Sequence, residues 1–242
     1  MLGALAPVTS PAATAPIEHR QVRFAPPEGA TEVLLVRHGA SAPFRPGEPF
    51  ALRDGHGDPP LAPEGHEQAE RVGGRLATEP IDAVYVTTLQ RTHQTAAPLC
   101  ARLGITPVVE PDLREVFLGE WEGGLFRARA AALDPAYVRM QADQEWGHIP
   151  GAETTAALRA RTVGAVQRLH DRHPGQRVVA VVHGGVIAAL LAHAAGSAPF
   201  AFMGADNGSI HHLIVLGQQW ILRCFNDTGH LGPFTASGQA LT

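Results

Sequence analysis

Cysteine is nearly absent from this chain: Cys100 and Cys224 are the only two. That excludes a disulfide framework and fits a reducing, cytoplasmic compartment. Charge is sparse as well. Charged residues make up 17%, with 19 basic against 23 acidic side chains and a net charge of −4. No bulk attraction to nucleic acid or to an anionic membrane is expected, so neither is expected as a partner. No apolar run approaches the ~20 residues of a membrane span. Any anion must be drawn by a local cluster of basic groups. What the chain does have is 45% hydrophobic residues over 242 positions. That is a globular profile, with enough length for a substantial core.

The ends look different from the middle. Residues 1–29 are rich in Ala and Pro and read as a loosely ordered arm. A signal peptide is disfavoured, because the start carries no Lys or Arg and Pro7 and Pro11 break its apolar stretch. A single α/β domain is expected over 30–232 and a loose tail over 233–242.

Strand-like and helix-like segments alternate between those ends. Thr31–Val36, Ile81–Val86, a short piece around Val108 and Val109, and Val178–Val182 read as strands. A helix opens at Pro63-Glu64-Gly65 with Ala69, Val72 and Leu76 on one face. A second covers Leu89–Ala97, with Thr87 or Thr88 as its cap. A helical segment lies within 124–147. A long helix follows Pro150-Gly151, with Leu158, Ala165, Val166 and Leu169 as its buried stripe, and another runs from Val186 to Ala195. Ile210–Val215 and Trp220–Phe225 flank a turn and read as a hairpin. The expected fold is an α/β three-layer sandwich: a mainly parallel sheet, helices on both faces, and an antiparallel C-terminal hairpin.

Two strands end in histidine. The first runs into Arg37-His38-Gly39, the fourth into His183-Gly184-Gly185. Ligand sites of open α/β sheets lie at the carboxyl ends of strands. A lone histidine is more often structural, but the repeated placement favours function. Arg37 can clamp two phosphate oxygens, and an imidazole nitrogen can attack phosphorus. Gly39 is expected to let the backbone turn tightly beneath a ligand. The backbone N–H groups that open the helix after His183 form an anion site by geometry. Arg91 falls in the first turn of a helix, where a cation opposes the dipole and a bound anion would remove the conflict. Glu115, Glu120 and Glu122 lie in a nonhelical loop expected at the same mouth. The Pro43–Pro63 loop is expected to cover the pocket or to be a solvated excursion. His211 and His212 sit next to each other on a strand, so they face opposite ways and are read as structural.

Six pieces in this order resemble the histidine phosphatase superfamily, the phosphoglycerate-mutase-like proteins. They are Leu34-Leu35-Val36-Arg37-His38-Gly39, Leu61 to Ala69, Leu89 to Ala96, Leu113 through Gly123, Pro150 to Glu153 and Val182 to Gly185. The resemblance implies a phosphohistidine mechanism with His38 as nucleophile. It implies Arg37 and Arg91 as a phosphate clamp, His183 completing the basic pocket, and Glu115 as the acid–base carboxylate. Gly184 and Ser41 are implied as further phosphate contacts. Phe44 departs from the pattern, standing where many relatives carry an Asn that helps bind phosphate.

The function expected on this basis is hydrolysis of a small phosphorylated metabolite, with no metal and no cofactor. A phosphoglycerate mutase is the first alternative, disfavoured because 124–149 looks too short for the segment that mutases insert. A non-catalytic phosphoryl-ligand binder or interaction module is the second, disfavoured because no pocket residue is missing. The substrate has no readable code. Oligomeric state has none either, and a dimer stays open.

Overall fold

The computed structural model describes residues 18–232. The elements in chain order are β1 (Thr31–Arg37), β2 (Leu52–Arg53), β3 (His56–Gly57), α1 (Pro63–Leu76), β4 (Ala83–Val86), α2 (Gln90–Leu103) and β5 (Val108–Val109). They continue with α3 (Leu125–Ala131), α4 (Pro135–Asp143), α5 (Thr155–Arg172), β6 (Arg177–Val182), α6 (Gly184–Ala195), β7 (Ile210–Leu216) and β8 (Gln219–Asp227). Six strands form one sheet in the order β5-β4-β6-β1-β7-β8. β5, β4, β6 and β1 run parallel, and β7 joins β1 antiparallel with β8 folded back on it. This is the α/β sheet with an antiparallel C-terminal hairpin that the alternation of elements predicts.

Strand side chains alternate between faces, and the two cores follow that period of two. Leu34 and Val36 of β1 join Val84, Val86, Val179 and Val181 against Val72 and Leu76 of α1 and Ala96 and Leu99 of α2. Val33 and Leu35 join Val178, Ala180, Val182 and Leu213 on the opposite face. There they meet Met140 of α4, Leu158, Val166 and Leu169 of α5, and Ile187 and Leu190 of α6. The central strands are buried on both faces, so they read as unbroken apolar runs.

Several local expectations are corrected. Neither Thr87 nor Thr88 is the N-cap of α2; Leu89 holds that position without a side-chain bond. The cap is long-range, with Asp58 Oδ1 accepting from Gln90 N at 2.8 Å. Thr87 Oγ1 accepts instead from Leu89 N at 3.2 Å and meets His183 Nε2 at 3.1 Å. The helix also runs past Ala97 and through Pro98, ending at the left-handed Gly104. The Pro43–Pro63 stretch is not structureless, since β2 and β3 pair within it. Residues 18–27 of the N-terminal arm are exposed and carry no helix or strand. Its first 17 residues, and the tail at 233–242, lie outside the described residues. Among the described residues, no helix is long and apolar enough to cross a membrane.

Candidate active site

The register of β1 against β6 builds the centre of the site. Arg37 is level with Val182, and His38 N donates to Val182 O at 3.0 Å. The next pair up is His38 beside His183, each continuing the face of its strand that meets α1 and α2. Their rings lie 5.1 Å apart at 61°. Both are buried, at 6% and 0% exposure.

Gly39 is needed for a different reason from the one expected. Its φ is not positive. It is small because the backbone of Gly65 packs against it, and a Cβ there would strike the Gly65 carbonyl. Side chains of the two helices then hold the loop. Thr95 Oγ1 accepts from Gly39 N at 3.0 Å, Gln68 Oε1 from Ala40 N at 2.8 Å, and Gln94 Oε1 from Leu61 N at 2.7 Å.

The imidazoles are set up differently. His38 Nδ1 lies 2.7 Å from Gly39 O. A carbonyl only accepts, so Nδ1 carries the proton and Nε2 presents its lone pair. Burial first, then the Arg91 and Arg37 charges, hold the His38 pKa well below 6.5. His183 is lowered well below 6.5 in the same way, by burial and then by Arg91 and His38. Thr87 Oγ1 meets its Nε2 at 3.1 Å, which leaves Nδ1 as the ring's other nitrogen. That Nδ1 is buried with no hydrogen-bond partner among the described residues.

The guanidiniums come from two directions. Arg91, 7% exposed, reaches from the second position of α2. Its Nε donates to His38 Nε2 at 3.2 Å and its Nη1 to Gly57 O at 3.0 Å. Asp58 stands 3.9 Å away. Burial pulls the Arg91 pKa down to about 10, against the opposing pull of Glu115 and Asp58, and it remains a cation at neutral pH. Part of the dipole conflict is therefore answered by Asp58, which both caps α2 and faces its arginine. Arg37 points to the other side, where Nη1 donates to Ala205 O, and its Nε is buried without a partner among the described residues. The Gly184 Cα faces that guanidinium. An unmet buried donor costs ~1–3 kcal/mol, so Arg37 Nε, which belongs to a cavity-lining residue, favours an acceptor in the cavity.

Geometry separates the three glutamates. Glu115 lines the cavity, and its Oε1 accepts from Val116 N at 2.9 Å and from Gly185 N at 3.1 Å, at the start of α6. Among the described residues, its Oε2 has only a long 3.4 Å contact with Gly185 N. Gly185 has no room for a Cβ because this carboxylate lies against it. Glu122 lines the cavity too, but its oxygens accept from Gly57 N at 2.6 Å and Leu118 N at 2.9 Å. That makes it a strut between loops. Glu120 is exposed and does not line the cavity.

The cavity holds about 530 Å³. The Pro43–Pro63 stretch supplies Pro43, Phe50, His56 and Gly57 to its wall, and the 124–149 segment supplies Phe126, Arg127, Tyr137 and Trp146. Three groups here carry no sequence signal. Arg127 of α3 donates to Ser41 Oγ and Ala42 O, both at 2.8 Å. It takes part in none of the ion pairs among the described residues. So Ser41 lines the cavity with its hydroxyl oxygen already accepting from a guanidinium. Asn207 Nδ2 donates to His38 O at 2.8 Å from a loop whose only readable feature is turn composition. His56 is buried against Phe117, ring to ring at 5.4 Å. Phe44 packs on Phe50, with ring centroids 6.0 Å apart. His211 and His212 do face opposite ways: His211 meets Ser209 Oγ at 3.0 Å, and His212 meets Glu32 at 3.0 Å.

The comparisons with known proteins agree with one another. A family model described as the histidine phosphatase superfamily, branch 1, matches residues 33–228. Phosphoglycerate mutase-like protein 4 of Arabidopsis thaliana is 32% identical over 83% of this chain and 86% of its own. Metal-independent phosphoserine phosphatase of the same plant is 31% identical over 83% of each. The solved structure of a mycobacterial glucosyl-3-phosphoglycerate phosphatase superposes with a TM-score of 0.69 at 27% identity. It covers 81% of this chain and 99% of that one.

Proposed function

The chain belongs to the histidine phosphatase superfamily, and from that premise we propose that it hydrolyses a small phosphorylated metabolite through a phosphohistidine, without a metal. The reading rests on one observation above all. His38, Arg37 and Arg91 line the cavity together, the buried His183 ring stands 5.1 Å behind that of His38, and Arg37 Nε is a buried donor with no partner among the described residues.

In this reading the phosphoryl group displaces the Arg91 contact at His38 Nε2, and that nitrogen attacks phosphorus. The P–O bond to the leaving group breaks, and Glu115 gives the departing oxygen its proton through Oε2. Water then attacks the phosphohistidine, Glu115 takes the water's proton, and the bond to Nε2 breaks to release inorganic phosphate. Arg37, Arg91 and His183 neutralise the oxygens throughout, with Gly184 and Ser41 at the rim.

Relatives with phosphatase names support hydrolysis. A mutase is the second reading, favoured by relatives bearing that name. Both are tested together by supplying 4-nitrophenyl phosphate and 3-phosphoglycerate with EDTA present. The proposal expects free phosphate from the aryl ester, unaffected by the chelator. Activity lost on chelation contradicts the metal-free mechanism, and isomerisation outpacing phosphate release contradicts the hydrolase.

A further inference from the structure

Glu115 lies in a stretch without regular structure. Between the 3-10 turns at Pro111–Leu113 and Gly119–Trp121 no strand or helix fixes the backbone. What holds it is Arg161 of α5, a residue that does not line the cavity. Its Nη1 donates to Asp112 O at 2.7 Å and to Arg114 O at 2.8 Å. Its Nη2 donates to Glu115 O at 2.9 Å and to Glu153 Oε2 at 2.8 Å, and its Nε donates to Glu153 Oε1 at 2.7 Å. Every donor of the guanidinium is therefore used, which is the limit of its capacity. Glu153 adds two more ties to the same loop. Its Oε2 accepts from Phe117 N at 3.3 Å, and its N donates to Phe117 O at 2.9 Å.

The pair is largely enclosed, with side chains 22% and 14% exposed. Glu115 is thus gripped at both ends: its backbone by Arg161, and its carboxylate by Gly185 N at the start of α6. A planar fork with fixed donor directions suits that task, whereas a single ammonium cannot reach three carbonyls and two carboxylate oxygens at once.

We propose that Arg161, held by Glu153, is the positioning residue for Glu115, and that loosening it selectively slows cleavage of esters with poor leaving groups. The proposal rests on Glu115 being the proton donor. An alkoxide leaving group needs that proton, while 4-nitrophenolate leaves with little help. A general acid commonly supplies ~10²-fold or more. A displacement of the loop should forfeit part of that for an alkyl ester only.

The test compares kcat/KM for phosphoserine and for 4-nitrophenyl phosphate in Arg161→Lys and Glu153→Gln. The alkyl ester should slow about tenfold or more and the aryl ester by no more than about threefold. Inhibition by inorganic phosphate should stay unchanged, because Arg37, Arg91 and the two histidines are untouched. In a Glu115→Gln background, Arg161→Lys should shift the alkyl-to-aryl ratio no further, as expected of residues acting as one unit. Equal slowing of both esters, or an additive shift on Glu115→Gln, would overturn the proposal. Loss of the folded state in both single variants would overturn it as well, by making the pair a requirement of the fold. If Glu115→Gln itself slows both esters alike, the assignment of Glu115 fails first, and this one fails with it.

Discussion

The floor and the walls of this cavity are built on different principles. The floor is two strand tips and one helix start, with His38, His183 and Arg91 nearly or wholly buried and held by the sheet register. The walls are the Pro43–Pro63 and 124–149 segments, short helices and a two-strand hairpin, whose Phe50, Phe126 and Tyr137 are only partly covered. Residues that must keep distances of a few tenths of an ångström sit on elements fixed from both faces. Residues of the outer wall sit on segments that can vary without disturbing the sheet. The comparison predicts that floor substitutions abolish turnover whatever the substrate, while wall substitutions change preference.

The largest effect is expected at the floor. His38→Ala should lower kcat by at least ~10³-fold on every ester tested, since no other group offers a free nitrogen lone pair at that point. Steady-state kinetics on the aryl ester checks it, and activity near wild type would erase the distinction. Arg91→Ala comes next, with about 10²-fold lost in kcat/KM and inorganic phosphate binding weakened in parallel. Unchanged inhibition by phosphate would place Arg91 outside the anion site.

Arg127→Ala probes the wall. Among the described residues its guanidinium bonds only neutral oxygens, so it is free to pair with a second anionic group on the substrate. KM for an ester with such a group should rise about tenfold, with 4-nitrophenyl phosphate changed little, as for loss of one charge-assisted contact. Equal losses on both esters would move Arg127 to the floor.

Stability should depend on pH through the floor and its surroundings. His38, His183 and His211 are held below 6.5 by burial, His211 down to about 3. Unfolded, each takes up a proton near 6.5. The unfolded chain then binds more protons, so stability is full above that pH and falls as the pH drops from about 6.5 toward 3. Thermal unfolding between pH 7 and pH 5 measures it, and a flat profile would mean these imidazoles are not neutral in the fold. The smallest effect is expected for Glu120→Gln, an exposed side chain, with less than about twofold on kcat/KM.

Legibility in the sequence follows the same division. The strand tips were readable because β-branched runs ending in His-Gly are written in consecutive residues, and their burial on both faces leaves a continuous apolar signature. The parallel sheet follows from the alternation of strands and helices, and the hairpin from two strand runs flanking the turn at Leu216-Gly217-Gln218-Gln219. Resemblance selected Glu115 from three glutamates, and only the hydrogen bonds of Glu122 and the exposure of Glu120 give that choice a physical reason. Arg127, Asn207 and His56 were missed because each reaches the cavity across long sequence separations, 85 residues from Ala42 in the case of Arg127. No local pattern encodes such a contact. The cap of α2 escapes local reading for the same reason, because Asp58 supplies it from 32 residues away.

The central claim is that His38 Nε2 carries the phosphoryl group during turnover. Rapid acid-free quenching during hydrolysis of a phosphate-labelled aryl ester, followed by peptide mass spectrometry, tests it most directly. The account predicts an acid-labile, alkali-stable phosphate on His38 that is absent in His38→Ala and accumulates when Glu115→Gln slows its hydrolysis. A label on any other residue, or turnover with no labelled protein in either form, would contradict it.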